Sequence, residues 1–555
     1  MTGFLRNKNK GEILVAIYMM VAAMAVLAVA TIYLTVNEYH MARRNMLSAE
    51  MYYLAEAGTE IAANALANKV ANNETEPAGA NDLWPDLCGQ TTDFLGSGFT
   101  LDHTCQSLDT DTVIGGEGVI SFTRHYEITS EITEPDTNVT LTVNQIIARI
   151  KTYTFQHAVF YTGDLEILPG RDMTLSGKVH SNEDIYIDSN GADLTVDSNY
   201  LYGAGDIYKK RKDSGNEMTG TVSIRNKLDS MYYSMREAVD VDPLDSDRPD
   251  WMAASQTRWG GTVKSGVHGV TTLAVPEVGS IQPDGYYAGL ADVKLVNGQL
   301  YSGGVQLVEG VDVPVGTIVS NADSFYNHRE NKWVSMTTID VEKLAGWEEV
   351  DVNGTIVKQQ NYPNRFPDNG LLYATRDDYE DTEQPGIRLV NGSKIESGDV
   401  GFTVVSNNPV YIQGDFNNTE KKAAAVICDA INFLSNNWDD ANSAGSLSSR
   451  DATGTAINVA IISGIVPTAG ADYSGGLENL PRLHENWTGE TLYIRGSFVV
   501  LWDSAFGVGL WAYGNDFYTA PNRDWDYDTD FNNSVNLPPF TPFAVETRRV
   551  AWWKS

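Results

Sequence analysis

The sequence predicts an α+β fold, in which a long N-terminal α-helix precedes a large, mainly-β body of solenoid-like rungs or stacked short-strand sheets. Residues 13–36 form an uncharged apolar run, and the chain then continues without proline as far as Pro77. From His157 onward, short apolar segments alternate with glycine and asparagine at a loose spacing of roughly 20 residues. The first pattern indicates a helix that extends past a membrane span, and the second indicates stacked β-rungs.

The apolar run is long enough to cross a membrane. At 1.5 Å per residue, a helix over residues 13–36 extends roughly 36 Å, against a hydrocarbon core of about 30 Å. Ala28-Val29-Ala30 resembles a signal-peptide cleavage site, but the apolar run continues to Val36. A signal peptide has a shorter apolar region, so a retained span is the favoured interpretation.

Basic residues flank this span unequally. Arg6, Lys8 and Lys10 precede it, whereas Arg43 and Arg44 follow it. Positive charge accumulates on the cytoplasmic side, so a small bias favours a cytoplasmic N-terminus and a body outside the cytoplasm.

Beyond the span the helix is amphipathic. Apolar or small residues recur at alternating steps of four and three, which places them in one stripe along a helix. The members of the stripe are Leu47, Met51, Leu54, Gly58, Ile61 and Ala65. Small neighbouring side chains would let another backbone approach closely, so the stripe is a candidate packing surface for the protein's own body or for other helices.

Residues 7–68 resemble the N-terminal segment of PilX-type minor pilins of type IV pili and related secretion systems. The resemblance depends on a basic leader ending in Lys10-Gly11, on the apolar helix, and on the tract Tyr53-Leu54-Ala55-Glu56-Ala57-Gly58. It implies an inner-membrane helix that is later extracted and packed against other pilins or pseudopilins. The predicted helix is therefore pilin-like.

The same resemblance implies processing by a prepilin peptidase. Cleavage would follow Gly11 and leave Glu12 as the new N-terminus. Major pilins carry a glutamate at the fifth mature position, inside the membrane, but this sequence has Ala16 there. The resemblance therefore implies a minor or specialised subunit.

The rest of the chain can be divided into regions by its residue patterns. Alternating apolar and polar residues from Phe99 to Ile150 predict strands of a small sheet near the helix, and MYYSMREAVD predicts a short helix further on. The C-terminal third, with pieces such as PVYIQGDFNN and YSGGLENLPRLHENWTGETLYIRGSFVVLW, resembles a recurring companion of PilX-type N-termini. The expected regions are a leader at 1–11, a membrane and filament helix at 12–68, a connector with a pilin-head-like β region at 69–156, a solenoid-like region with an irregular insertion at 157–405, and a β-rich region at 406–555.

The net charge of −34 belongs to the body. The first 68 residues contain five acidic and five basic side chains, so they are neutral. An acidic surface repels nucleic acid and anionic lipid headgroups, so no nucleic-acid partner is expected.

The three cysteines have different predicted environments. Cys88 and Cys105 flank a polar stretch, and outside the cytoplasm they are expected to form a disulfide that closes a short loop. Cys428 lies in an apolar run and is expected to be a buried core thiol.

The carboxylates form two clusters that suit calcium, which takes six to eight oxygen ligands. The first comprises Asp240, Asp242, Asp245 and Asp247, and the second comprises Asp524, Asp526, Asp528 and Asp530. Neither matches the EF-hand spacing, so solvated surface is the alternative for both. In the second cluster, strict alternation also predicts a half-buried strand.

No catalytic signature appears in the sequence. It contains no HExxH, phosphate-binding loop, nucleophile elbow or CxxC motif. His180 is expected to be a hydrogen-bonded residue of a structural turn. Exposed aromatic side chains would suit sugar binding, although such a density of aromatics is more often core; the candidates are Trp502, Trp511, Tyr513, Phe517 and Tyr518.

The sequence therefore predicts a non-enzymatic pilin-like subunit without a cofactor, or with calcium alone. Its partners would be other pilins, the inner membrane, and a surface receptor or glycan bound by the displayed body. The alternative is a membrane-anchored β-solenoid enzyme or binding module that acts on polysaccharide, because such folds also carry paired-carboxylate glycosidases.

Overall fold

A computed structural model describes residues 9–72, 84, 87–116, 119–238 and 241–555. Its fold class is the predicted one: a single long helix precedes a large body made mostly of strands. Helix α1 (Asn9–Ala71) has 63 residues and therefore extends about 95 Å. Glu12 in its first turn and Lys69 in its last turn complement the helix dipole.

The strands nearest to the helix in sequence form a small head region. They are β1 (Gly89–Thr91), β2 (Thr100–Ser107), β3 (Thr112–Gly116), β4 (Val119–Thr133) and β5 (Thr140–Tyr153).

The next part of the chain has much shorter strands, as the glycine and asparagine punctuation predicts. They are β6 (Val159–Tyr161), β7 (Leu165–Ile167), β8 (Met173–Ser176), β9 (Val179–Ser181), β10 (Ile185–Ile187), β11 (Asp193–Asp197), β12 (Leu201–Gly203), β13 (Ile207–Tyr208), β14 (Thr221–Arg225) and β15 (Tyr232–Ser234), followed by α2 (Trp251–Trp259) and β16 (Val263–Lys264).

The remaining chain begins with α3 (Tyr286–Leu290) and two sets of longer strands. The first set is β17 (Val293–Val296), β18 (Gln299–Ser302), β19 (Val305–Gln306), β20 (Ile318–Asn327), β21 (Lys332–Asp340), α4 (Val341–Leu344), β22 (Trp347–Val352) and β23 (Thr355–Gln360). The second is β24 (Leu371–Thr375), β25 (Glu383–Val390), β26 (Phe402–Ser406), β27 (Val410–Gln413), β28 (Ala424–Cys428), β29 (Ile431–Leu434), β30 (Thr455–Ile465), β31 (Arg482–Leu483), β32 (Thr491–Asp503), β33 (Asn522–Tyr527) and β34 (Phe543–Lys554).

The head sheet is antiparallel and has the order β1-β2-β4-β5-β34, with β3 paired to β4. Its last strand comes from the C-terminal part of the chain, so the head sheet combines strands that precede the rest of the body with one that follows it. Helix α1 packs on this sheet through its C-terminal half. Met51 and Leu66 of the helix are buried with Leu101, Tyr126 and Ile147 of the sheet.

Three parallel stacks build the first half of the body. Strands β6, β9 and β12 form one wall, β7, β10 and β13 the second, and β8, β11 and β14 the third. Leu165, Ile185 and Ile207 lie in register and are fully buried, which is the predicted recurrence at about 20 residues. Each rung thus buries its inward side chains against the next rung.

The second half has two parallel stacks, β17-β24-β26-β28-β30-β32 and β21-β25-β27-β29-β31. Buried apolar residues such as Val404, Val426 and Ile461 fill the space between them. Strands β22 and β23 form a separate antiparallel hairpin that projects from this half.

The two halves are joined in an order that differs from the chain order. Within the largest sheet, β32 pairs in parallel with β6, so the last rung of the second half lies directly beside the first rung of the first half. The two halves therefore form one continuous solenoid. Its first strand in sequence, β6, lies in the middle of the stack and not at an end. This sheet contains strands from both sides of residue 406, which was the expected boundary between two regions.

One local prediction is wrong. MYYSMREAVD was expected to be helical, but Tyr232–Ser234 form β15, which pairs antiparallel with β14. The nearby helix is α2, over Trp251–Trp259, whose C-terminus is closed by Gly260 in the left-handed conformation at φ 62°. Residues 232–234 are extended because they pair with β14. The sequence pattern of residues 231–240 does not show that pairing.

Gly58 sets how closely the helix approaches the head sheet. A Cβ atom at this position would lie 3.0 Å from Ser130 Oγ and 3.1 Å from Leu101 Cδ1. We expect Gly58→Val to lower the free energy of unfolding of the head by about 2 kcal/mol through overpacking, even though valine has the higher helix propensity. Asn64→Val, on the exposed side of the same helix, is the matched control, because asparagine and valine have similar helix propensities. Thermal unfolding in detergent would test this, and equal stability of the two variants would contradict it.

Candidate functional site

The N-terminal half of α1 contacts no other part of the described chain. Every residue from Gly11 to Met46 is exposed, including Ile13 at 58%, Tyr18 at 69% and Val29 at 67%. By length and composition, it is the one helix of the described chain that could cross a membrane. Such an exposed apolar surface needs a lipid or protein neighbour.

The predicted cleavage position lies within this bare helix. Gly11 and Glu12 are both exposed, and apart from the adjoining backbone of the helix no described atom lies within 4 Å of the position of a Cβ at Gly11. Ala16 is exposed as well, so its side chain is available to a neighbouring molecule. Leader cleavage stays a prediction.

The predicted packing stripe is only partly the surface that contacts the body. Met51 and Gly58 are buried against the head, but Leu47, Leu54 and Ala65 are half-buried, and Ile61 is 51% exposed. The buried face instead follows Met51, Ala55, Gly58, Thr59, Ala62, Ala63, Leu66, Ala67, Val70 and Ala71. The contact face is therefore rotated by about one position from the predicted stripe.

A second stripe on the same helical segment remains free. Tyr53 is 67% exposed, Ile61 is 51% exposed, and Asn64 and Asn68 are also exposed. These residues recur at helical spacing on the side that faces away from the sheet. A large tyrosine and an isoleucine, exposed among uncharged asparagines, provide a surface on which a further helix can pack.

The C-terminal strand fastens the helix to the head. Arg549 of β34 forms ion pairs with Glu56 and Glu60 of the helix. The ring of Trp552 meets that of Tyr52 edge-on, with centroids 5.7 Å apart. The helix is thus attached to the head both through the sheet strands that follow it in sequence and through the C-terminal strand β34.

The cysteines predicted to pair lie close together but are not bonded in the structure. Cys88 Sγ lies 3.1 Å from the carbonyl oxygen of Trp84 and 3.9 Å from that of Cys105. Burial raises the pKa of the Cys105 thiol to about 12. The disulfide stays a prediction. Cys428 is fully buried in β28, as predicted for a core thiol.

The first aspartate cluster is engaged mainly with protein groups. Asp240 lies outside the described residues and Asp242 is exposed. Asp245 is buried and accepts hydrogen bonds from the backbone N–H groups of Lys209 and Asp247. Among the described residues, no three His, Cys, Asp or Glu side chains are grouped as a metal site. Calcium at this cluster stays a prediction.

The second cluster is a half-buried strand with salt bridges. Trp525 and Tyr527 of β33 are buried, as the alternation predicted. The predicted alternation is wrong beyond Tyr527, because β33 ends there and the chain turns into a short 3₁₀-helix. Asp528 and Asp530 lie in that turn, and both form ion pairs with Lys421 Nζ, at 2.9 and 2.7 Å.

His180 lies in strand β9, beside the turn that was predicted to hold it. Its ring nitrogens lie 3.1 Å from Asn182 Oδ1 and 3.3 Å from Tyr200 Oη. Burial lowers the pKa of His180 to about 4, so the ring is neutral near pH 7. This geometry is that of a structural residue.

Two buried carboxyl groups lie where the two halves of the body meet, and the sequence patterns did not single them out. Both oxygens of Glu478 accept the backbone N–H of Leu168, at 3.1 and 3.3 Å. Glu166 accepts a hydrogen bond from Ser474 Oγ at 3.4 Å. Glu478 and Glu166 line two different cavities. Burial raises the pKa of Glu478 to about 7.

Comparisons with known proteins place little constraint on this chain. No family model matches the sequence, and no curated protein matches it. A solved structure that is similar is the competence-associated pilin ComZ from Thermus thermophilus, at 11% sequence identity. The match covers 91% of this chain and 97% of that chain, with a TM-score of 0.25. A TM-score of this size does not establish a shared fold.

Glu478→Gln provides a test of the buried carboxyl. A raised pKa in the folded state favours folding below the unfolded-state pKa of about 4.5, and this contribution is lost as the pH rises toward about 7. Glutamine keeps an acceptor for Leu168 but never ionises. The variant should therefore gain about 3 kcal/mol of stability relative to wild type between pH 4.5 and pH 8. Exposed Glu349→Gln is the control, and a pH-independent difference in unfolding temperature for Glu478→Gln would contradict the assignment.

Proposed function

We propose that this chain is a non-enzymatic pilin-like subunit, a minor pilin or pseudopilin, of a type IV pilus or a related secretion system. The observation that carries the proposal is the division of α1 into two parts. Residues 11–46 contact no other part of the described chain and contain the apolar run 13–36, whereas residues from Met51 to Ala71 pack on an antiparallel sheet. A helix of this kind is suited to the inner membrane first and to a bundle of similar helices later.

In this proposal the leader is removed after Gly11, and Glu12 becomes the first residue of the mature subunit. Ala16 occupies the position where a major pilin has its membrane glutamate. A single alanine cannot neutralise a neighbour's N-terminal amine in the apolar interior. The subunit is therefore assigned a minor or specialised place in the filament, where few copies are needed.

The body would be displayed outside the cytoplasm, on the filament surface or at its tip. It is large and carries essentially all of the net charge of −34, which keeps an exported protein soluble. Adhesion and priming of filament assembly are the two roles that suit a bulky, displayed head. The alternative is a membrane-anchored polysaccharide enzyme or binding module, for which α1 would serve only as an anchor.

The exposed stripe of α1 distinguishes the two proposals. Ile61→Glu places a charge where a neighbouring helix would bury it, so we expect about a tenfold or larger loss of subunit from sheared filaments. Ile356→Glu is the matched control, because Ile356 is 62% exposed on the β22–β23 hairpin of the body. Both variants should reach the membrane at wild-type levels. Normal incorporation of Ile61→Glu would contradict helix packing and favour a simple anchor.

A further inference from the structure

A cavity of about 300 Å³ lies between the two halves of the body. Turns between short strands of the first half line one side, and loops of the second half line the other. Leu168, Gly170 and Asn190 contribute from turns that follow successive short strands. Loop residues after β30 and β32 close the other side, among them Tyr473 and Trp511. The volume is at the lower end of the range for small-molecule sites, about 300–1,000 Å³.

Aromatic rings form one wall of this cavity. Trp511 and Tyr513 are 42% and 51% exposed, and their rings are almost parallel, at 15° with centroids 6.2 Å apart. Tyr473 meets Trp511 edge-on at 5.6 Å, and the buried Tyr518 meets Tyr513 edge-on at 5.7 Å. Two of the five aromatics proposed from the sequence are thus exposed here, whereas Trp502 and Tyr518 are core residues.

The Trp511 ring is held in place by a glycine turn. Gly475 has φ +89°, and a Cβ atom there would lie 2.6 Å from Trp511 Cδ1. The backbone N–H of Trp511 also donates to the carbonyl oxygen of Tyr473 at 3.2 Å. The platform is therefore formed before any ligand binds, which reduces the entropic cost of binding.

The charges around the cavity differ from those of the chain as a whole. Arg211 is neutralised by Asp213, through two hydrogen bonds of 2.7 and 2.5 Å. Arg171 donates to Asn522 Oδ1 at 3.0 Å, and Arg523 lies over the Trp525 ring at 5.3 Å with its Nε buried and without a hydrogen-bond partner. Within the described part of the chain neither guanidinium group forms a direct ion pair, and the one carboxyl that lines the cavity with them is Glu478, whose raised pKa the Arg523 charge partly opposes. In a protein with 73 acidic and 39 basic side chains, two guanidinium groups without a direct ion pair favour an anionic ligand group.

We propose that this cavity binds one pyranose ring of an acidic glycan. The C–H face of the ring stacks on Trp511 and Tyr513, and the sugar carboxylate accepts hydrogen bonds from Arg171 and Arg523. Glu478 and Asn190 also line the cavity and offer acceptors to ring hydroxyl groups. Guanidinium groups recognise carboxylates through paired N–H donors, and amphipathic aromatic rings suit a ligand with one apolar face.

The observations favour a sugar over a nucleobase, although bases also stack on aromatic rings. Binding of a nucleic-acid strand depends on neutralising many phosphates, and the net charge of −34 opposes it. An acidic sugar needs charge compensation at one point only. The inference deepens the adhesive role proposed above and relies on it only for exposure of the body outside the cell, so a binding assay that needs no filament tests it separately.

The test is isothermal titration of the full chain in detergent with trigalacturonate, the neutral cellotriose, and a dT12 oligonucleotide. We expect trigalacturonate to bind at least about tenfold more tightly than cellotriose, and dT12 not to bind. Trp511→Ala should weaken trigalacturonate binding about tenfold or more, while Trp511→Phe retains most of it. Arg523→Gln should remove the preference for the acidic sugar.

Trp553→Ala is the matched control, since Trp553 is 39% exposed on β34 and does not line the cavity. Its affinity should equal that of wild type. Trp511 and Trp553 are similarly exposed, at 42% and 39%, so the two alanine variants remove comparable rings, and binding lost in Trp511→Ala alone reports on the site. Equal affinity for cellotriose, binding of dT12 alone, absence of any binding, or an unaffected Trp511→Ala variant would overturn the proposal.

Discussion

The parallel pairing of β32 with β6 is the contact on which the rest of the architecture depends. Phe498 N donates to Ala158 O at 2.8 Å, and Thr162 N donates to Val500 O at 3.0 Å, which joins segments more than 330 residues apart. Because the chain enters and leaves the solenoid at this central rung, the two connections to the head lie side by side. Strand β34 can therefore return to pair with β5 and complete the head sheet. The same junction brings the loops of one half over the turns of the other and creates the aromatic cavity.

The head in turn determines what the helix can do. Gly58 allows α1 to lie close to the sheet, and Arg549 ties it to the returning strand. This attachment uses only the C-terminal half of the helix, on one face. The bare apolar half and the free face around Ile61 are left for other neighbours, and a membrane and a helical bundle can satisfy them in succession. The proposed function thus follows from which surfaces the fold leaves uncovered.

Local sequence patterns predicted the main elements of this fold but not how distant strands pair. The apolar run predicted α1, and the recurrence of Leu165, Ile185 and Ile207 predicted the stacked rungs, because both depend on side-chain periodicity along a short stretch. The predicted contact face of α1 differs from the observed one by a rotation of about one residue. The position of the head sheet beside Gly58 determines which face is buried, and the helix sequence alone does not show that position. The pairings β32–β6 and β34–β5 join distant segments, and no local pattern encodes them. For the same reason, the sequence could name Trp511 and Tyr513 but could not separate them from buried aromatics.

The central claim is that α1 is a processed helix shared between membrane and filament. Mass spectrometry of the N-terminus of the subunit recovered from sheared surface filaments tests it most directly. The account predicts a mature chain that begins at Glu12, with the apolar helix intact behind it. A chain that retains Met1, or one that begins after Ala30, would contradict it.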